Sequence, residues 1–459
     1  VKKKNKVYYL CRDTNVQKLL LKKLNKKSYE KSFIEESVND QINKIFKRKN
    51  KQKIINEAKE YEKKYNINLS FLIGKDRALG RGYLLNVDRY PNIIRSNWEK
   101  EKKFLYFLNI LKNIEKTILL SKPKVILSIS RSYFISLIAK KYKIKYLTLT
   151  SSRIGNRFYW SDNDFNTNKI LISKLKVTKK NSTTNKSKYK YAQIIESKKL
   201  HAQIRYGIKN IFIDVTKEFI KEIKQILRNN RRKNSYYLLG WVPVRIRKYF
   251  AYNYVLRNSK NLNYFKKKKF VYIPLHLEPE IALIGLSPEF NNTLEMITWV
   301  SKSLPAEYSI VVKEQPFAYG TRSLWFYKTL IQMPNVYFAN PKIHPWEWIK
   351  NSFCVSTITG TAAYEAVHFK KPVISLGKNQ IVNYLKTVKY CSNFSDVNNF
   401  LKNILKKYPN SIEFNNSKQN LINSIFESSF ELNKYIQTYN STELDDLSAK
   451  TAIKHIDIK

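Results

Sequence analysis

From Lys269 onward the chain alternates short apolar runs with amphipathic stretches. KFVYIPLH, YSIVVKEQP, VYFAN, FCVSTITG and KPVISLG read as strands. They are nearly continuous in Val, Ile, Phe and Tyr, as strands covered on both faces are. NNTLEMITWVSKSL, SLWFYKTLIQM, HPWEWIKN, TAAYEAVHF and FSDVNNFLKNILKKYP carry apolar residues at helical spacing. The alternation predicts a doubly wound α/β domain over residues 269–425.

The first half shows the same grammar less cleanly. KVYYLC, NLSFLIG (68–74), PKVILSIS (123–130) and IKYLTLT read as strands, with SYFISLIAKKY a helix between the last two. Residues 15–68 are lysine-rich and mostly helical by pattern. This predicts a second Rossmann-like domain over 1–240, with a basic helical insertion near 165–235 in which NSTTNKSKYKYAQ is a loop. LLGWVPVRIRKYFAYNYVLRN mixes aromatics with arginines. It is either a membrane-lying segment or part of a junction over 241–268. Residues 426–459 form a tail that is helical or crosses back to the first domain.

The length, 459 residues, agrees with two domains. Three scattered cysteines, Cys11, Cys354 and Cys391, give no disulfide framework and no zinc spacing, which points to a reducing, cytoplasmic compartment. No apolar run is long enough to span a bilayer. The charge changes the picture more. With 86 basic and 35 acidic residues, the formal net charge is +51. Biased codon usage would spread lysines this evenly. An anionic membrane surface, with the protein peripheral on the inner face of the cytoplasmic membrane, is the alternative. Nucleic acid ranks below both, because no nucleic-acid motif stands out.

Polar residues gather where the strands end. In a parallel sheet, ligands bind beyond the carboxyl ends of the strands. PLHLEPE supplies His276, Glu278 and Glu280 there, and VVKEQP supplies Lys313, Glu314 and Gln315. TITGTAAYE supplies Thr359, Gly360, Thr361 and Glu365, and His344 lies on a connection. Gly360 permits a close backbone approach or positive φ. Thr361 is placed to cap a helix whose free N–H groups suit a phosphate, and Lys313 to neutralise it. Glu365 is placed to accept ribose hydroxyls. Each has a plainer reading: Thr361 as an ordinary cap, Glu365 in a surface salt bridge, Lys313 and Glu314 as a solvated strand end. His276 with two nearby glutamates lacks a third metal ligand, so no metal is expected. In the first half Asp76, Arg77 and Arg81 follow one expected strand, and Arg153 and Arg157 another. Arginine suits a carboxylate or phosphate, and a salt-bridged surface is the plainer reading. A cleft with such a rim fits a transferase for a nucleotide-activated, anionic sugar.

DRALGRGYL, VYIPLHLEPE, VVKEQPFAYGTRS and TITGTAAYEAVHFKKPVISLG, in that order, resemble the capsule polysaccharide biosynthesis family. That family includes the Kdo transferases of bacterial surface-glycan assembly. The resemblance is strongest over 271–377. It implies a GT-B-like enzyme of two Rossmann-like domains facing a central cleft, the second binding the nucleotide. The donor it implies is CMP-Kdo, transferred with retention to a surface polysaccharide or glycolipid, with no cofactor and with other glycan-assembly enzymes as partners. A UDP- or GDP-sugar donor, a nucleotide-sugar epimerase and a non-catalytic assembly partner are the alternatives. By the resemblance Asp76 is the candidate nucleophile or charge stabiliser, His276 and Glu278 lie near the cleft, and Lys313 with Thr359–Thr361 contacts the nucleotide phosphate. Arg77, Arg153 or Arg157 would hold the sugar carboxylate. Many relatives read KEHP where this chain has KEQP. Gln315 hydrogen-bonds but cannot donate a proton as an imidazolium does. If that position is the family's acid, the task falls to His344 or another group, or activity is low.

Overall fold

The computed structural model describes residues 5–11, 29–35, 42–76, 98–128, 132–165, 167–177, 208–227, 242–278, 280–433, 435–437 and 442–456. Two α/β units, each built on its own sheet, give the GT-B-like class that the sequence predicts. The first comprises Val1–Ile73, Trp98–Gln193 and Ile422–Lys459. The second comprises Gly74–Asn97 and Ile194–Leu421.

The first unit holds a six-stranded sheet. β1 (Asn5–Cys11) pairs in parallel with β2 (Tyr29–Glu35) on one side and β3 (Val125–Ser128) on the other, and β4 (Lys145–Ser151) extends it in parallel. β5 (Arg157–Ser161) turns back antiparallel on β4. The short strand Phe430–Glu431 closes that edge antiparallel to β5. Phe158, Trp160, Phe430 and Leu432 pack there with Ala449 and Ala452 of the helix Asp446–Lys454. The chain thus returns to its first sheet after completing the second.

Two sequence expectations are corrected. NLSFLIG is not a strand: Leu69–Gly74 is helical, and its buried residues are Leu69, Leu72 and Ile73, at helical spacing. So short an apolar run fits either period. Asp76 therefore follows a helix, not a strand end. Within the lysine-rich 15–68, Tyr29–Glu35 is a strand, because pairing with β1 along its length outweighs a weak helical pattern. The loop expected at NSTTNKSKYKYAQ lies outside the described residues.

The second unit holds a seven-stranded, wholly parallel sheet. β6 (Ser259–Lys260) lies on the edge beside β9 (Val336–Ala339). Inward come β8 (Tyr308–Lys313), β7 (Lys269–Pro274), β10 (Cys354–Thr357), β11 (Val373–Ser375) and β12 (Val388–Tyr390). From β9 to β12 the order is that of a dinucleotide-binding fold. The chain grows outward from β7 through β8 and β9, then returns to β7's other side with β10. β7 and β10 thus flank the switch point, the place where sheets of this kind bind ligands beyond the strand ends. The helix Val242–Arg257 is a core element: Ala251, Tyr252 and Val255 join the main cluster.

Candidate functional site

His276 stands just past β7, and its ring reaches across the switch point. The backbone N–H groups of Ile358 and Thr359 donate to its Nε2 at 3.3 and 3.4 Å. The Thr357 hydroxyl lies 3.3 Å from the same nitrogen and donates to the carbonyl of Thr359 at 2.7 Å. Accepting from two N–H groups requires the neutral ring with its proton on Nδ1. Burial, then the nearby Arg322 guanidinium, push the imidazole pKa down to about 3.

The other wall of the turn comes from β11. The Gln380 side-chain amide donates to the Ile358 carbonyl at 2.8 Å and to Ser375 Oγ at 2.9 Å. A Cβ on Gly377 would sit 2.3 Å from the Ile358 carbonyl oxygen, so only glycine lets this connection lie so close. Gly360 has φ +107°, open to glycine alone. The segment Thr357–Thr361 is therefore clamped from the ends of β7 and β11.

Within this clamp one donor is left over. Thr359 is 1% exposed, and its Oγ1 has no hydrogen-bond partner among the described residues. A hydroxyl left so costs about 1–3 kcal/mol, unless a ligand or water meets it. Beside it, Nδ1 of His276 lies 3.9 Å from where a Cβ of Gly360 would stand. A hydroxyl and an imidazole N–H thus border the glycine turn at the switch point. The helix that follows, Ala362–His368, has only seven residues, and Thr361 makes no side-chain cap. Its dipole adds little, so the turn and its side chains carry the site.

Behind the turn lies a dry ionic knot. Arg322, 1% exposed, donates through Nη1 to both oxygens of Glu314 at 2.8 and 2.7 Å. Its Nη2 bonds the carbonyl of His276 and stands 3.4 Å from Glu278. Tyr327 donates to Glu314 at 2.8 Å, and Thr293 donates to Glu278. Burial pushes the Glu314 carboxyl up against the pull of Arg322. Glu278 and Glu314 thus serve the knot that fixes the base of His276. Arg322 did not stand out in the sequence. The available signal was two carboxylates, each just past a buried strand, needing a common counter-charge.

Other expected residues fall as follows. Lys313 donates to the carbonyls of Asn340 and Pro341 at 3.2 and 3.0 Å, and burial pushes its pKa down to about 7. Its ammonium ties β8 to the turn before His344. Nδ1 of His344 caps the next helix, accepting from Trp346 N–H at 3.2 Å. Burial raises the Glu365 carboxyl, partly offset by a hydrogen bond from the Trp346 side chain. Gln315 is exposed. In the first unit, Arg153 lies in the β4–β5 turn with φ +66°. Arg157 bonds Ser429 Oγ and the carbonyls of Ser429 and Phe426, tying down the returning chain. Asp76 ends its described stretch, and Arg77 and Arg81 lie outside the described residues.

The family description "Capsule polysaccharide biosynthesis protein" matches residues 169–383, a span that holds the whole clamp. Over that span the chain is similar to the capsule polysaccharide biosynthesis family. No curated protein matches the chain by sequence. Among solved structures, the chain is similar to the UDP-GlcNAc 2-epimerase of Methanocaldococcus jannaschii, with 14% identity over 92% of this chain and 99% of that one, at a TM-score of 0.26. The Neisseria meningitidis UDP-GlcNAc 2-epimerase bound to UDP-GlcNAc gives 13% identity over 92% and 98%, at 0.29. The Thermosulfurimonas dismutans beta Kdo 2,7 transferase KpsC gives 13% over 75% and 88%, at 0.34.

Proposed function

We propose that this chain is a nucleotide-sugar enzyme of bacterial surface-glycan assembly, with the nucleotide seated on the Thr357–Thr361 turn. The observation that carries the reading is the unmatched Thr359 hydroxyl, held beside His276 where β7 and β10 diverge. Thr359 Oγ1–H and His276 Nδ1–H supply donors for phosphate or ribose oxygens, and Gly360 lets the ligand approach the backbone. The clamp fixes both donors before the ligand arrives, so little ordering is needed on binding. Glu365, half-buried on the helix that follows the turn, would accept ribose hydroxyls.

A UDP- or GDP-sugar is the preferred donor class. The CMP-Kdo reading relies on arginines for the sugar carboxylate, and Arg157 is engaged by Phe426 and Ser429. The capsule-family match favours keeping CMP-Kdo as the second reading, in which Asp76 attacks the anomeric carbon and CMP leaves. Incubation with UDP-GlcNAc or CMP-Kdo, with and without glycan acceptor, followed by NMR, separates these. An epimer formed without acceptor, or UDP released only with acceptor, supports the preferred reading. Consumption of CMP-Kdo alone moves the assignment to the second. Failure to bind any nucleotide contradicts both.

A further inference from the structure

Helix Ile208–Leu227 shows water a face that a free surface does not keep. Phe212 is 71% exposed and Leu227 78%, and Ile213, Phe219, Ile220 and Ile223 are exposed with them. Their spacing puts all six on one stripe about 120° wide, running along a helix of about 30 Å. Lys217 and Lys224 border one edge of the stripe. The acidic positions Asp214, Glu218 and Glu222 recur every four residues on the side away from it. On that other side Asp214 acts on the charge of Lys248, in the helix Val242–Arg257 that packs against it. Asp214 thus turns inward to a basic neighbour, while the apolar, lysine-bordered face turns outward.

We propose that this face docks on a bilayer carrying anionic headgroups. The apolar stripe would sink to the headgroup boundary while the bordering lysines meet the phosphates, the arrangement of an interfacial helix. A second copy of this face would set the same lysine edges near one another. On a chain of net charge +51, pairing like with like is opposed, whereas an anionic surface is attracted. No helix among the described residues is long and apolar enough to cross a membrane, so this one lies along the surface. The aromatic segment 238–258 is displaced from that role, since Val244, Ala251, Tyr252 and Val255 of its helix are buried. The neighbouring helix Val242–Arg257 also touches the segment after β8. A Cβ on Gly320 would lie 2.4 Å from the Val244 carbonyl, so the Val242–Arg257 helix rests on the segment between Gln315 and Arg322.

The test uses the full chain and co-sedimentation with vesicles of phosphatidylglycerol and phosphatidylcholine, against phosphatidylcholine alone. The wild type is expected to pellet with the anionic vesicles at low salt and to release as salt rises. The triple variant Phe212→Ser, Phe219→Ser, Ile223→Ser should bind at least about tenfold more weakly while melting at the same temperature. Lys217→Glu with Lys224→Glu should cut binding to anionic vesicles several-fold. Two results overturn the proposal. One is wild-type and triple variant binding equally, or neither binding. The other is a wild-type dimer in light scattering that the triple variant dissolves, with no vesicle binding by either. The readout does not involve nucleotide, so it stands or falls apart from the donor assignment.

Discussion

Each unit holds a buried polar hub formed around one charged side chain, Glu115 in the first and Arg322 in the second, and these two hubs are opposites. In the first, Glu115 gathers Tyr65 and Tyr142 hydroxyls at 2.5 Å each, Tyr61 at 3.2 Å and the Lys64 ammonium at 2.7 Å. Burial alone would raise its carboxyl, but Lys64 and the phenols outweigh it and hold it below the ordinary range. In the second, Arg322 gathers Glu314 and Glu278 with almost no exposure. Lys64 is 38% exposed and can return to water, whereas nothing around Arg322 can. Glu115 ties the helix Lys100–Ser121 to the helix Lys51–Tyr65 and to Tyr142, which ends the helix Tyr133–Lys141. Arg322 holds the carbonyl of His276 and so sets the floor of the candidate site. The same device, charge neutralised inside a fold, fastens a scaffold in one unit and positions a site in the other.

Removing the hubs should separate them sharply. Arg322→Met leaves two buried carboxylates without a counter-charge and should cost about 3–5 kcal/mol in urea unfolding. Pairing it with Glu314→Leu should restore part of the loss, because an apolar pair removes one of the stranded charges. Glu115→Gln should cost less, about 1–2 kcal/mol, since the phenols keep an acceptor and Lys64 resolvates. Equal losses at both hubs would break the comparison.

Acid should expose the second hub next. His276 has its folded pKa depressed to about 3 against an ordinary value near 6.5. Between those values the unfolded chain binds a proton that the folded ring refuses. Stability present above pH 6.5 is therefore lost as pH falls, by at most about 1.4 kcal/mol per unit. His276→Gln should flatten that slope in urea midpoints measured at pH 6.5 and 5. The Glu115 contribution also fades on acidification, but only once pH enters the carboxylate range.

The parts legible in the sequence follow from which physics is local. The strands from Lys269 to Ser375 are buried on both faces, so their apolar runs announce them, and the polar residues behind them fall at one sheet end. NLSFLIG fails because so short a run, with four apolar residues, fits two periods. The residues that matter at the clamp were half seen. His276, Thr359 and Gly360 were named from strand ends. Arg322 and Gln380 were not, because their partners lie 46 residues away at His276 and 22 away at Ile358. Arg157 looked like a ligand residue, and only the returning chain at Phe426–Ser429 reveals what engages it.

The smallest expected stability effect belongs to the residue that matters most to the reading. Thr359→Val removes a hydroxyl with no partner among the described residues; with water meeting it in the free protein, the fold should change by less than about 1 kcal/mol. Losing its bond to a bound nucleotide should weaken affinity about 5–10-fold. Calorimetric titration of UDP, GDP and CMP into wild type and Thr359→Val tests the central claim most directly. The wild type should bind at least one nucleotide selectively, and the variant, at unchanged melting temperature, should bind it more weakly by that factor. Equal affinity in the two proteins, or a wild type that binds no nucleotide, would contradict the claim.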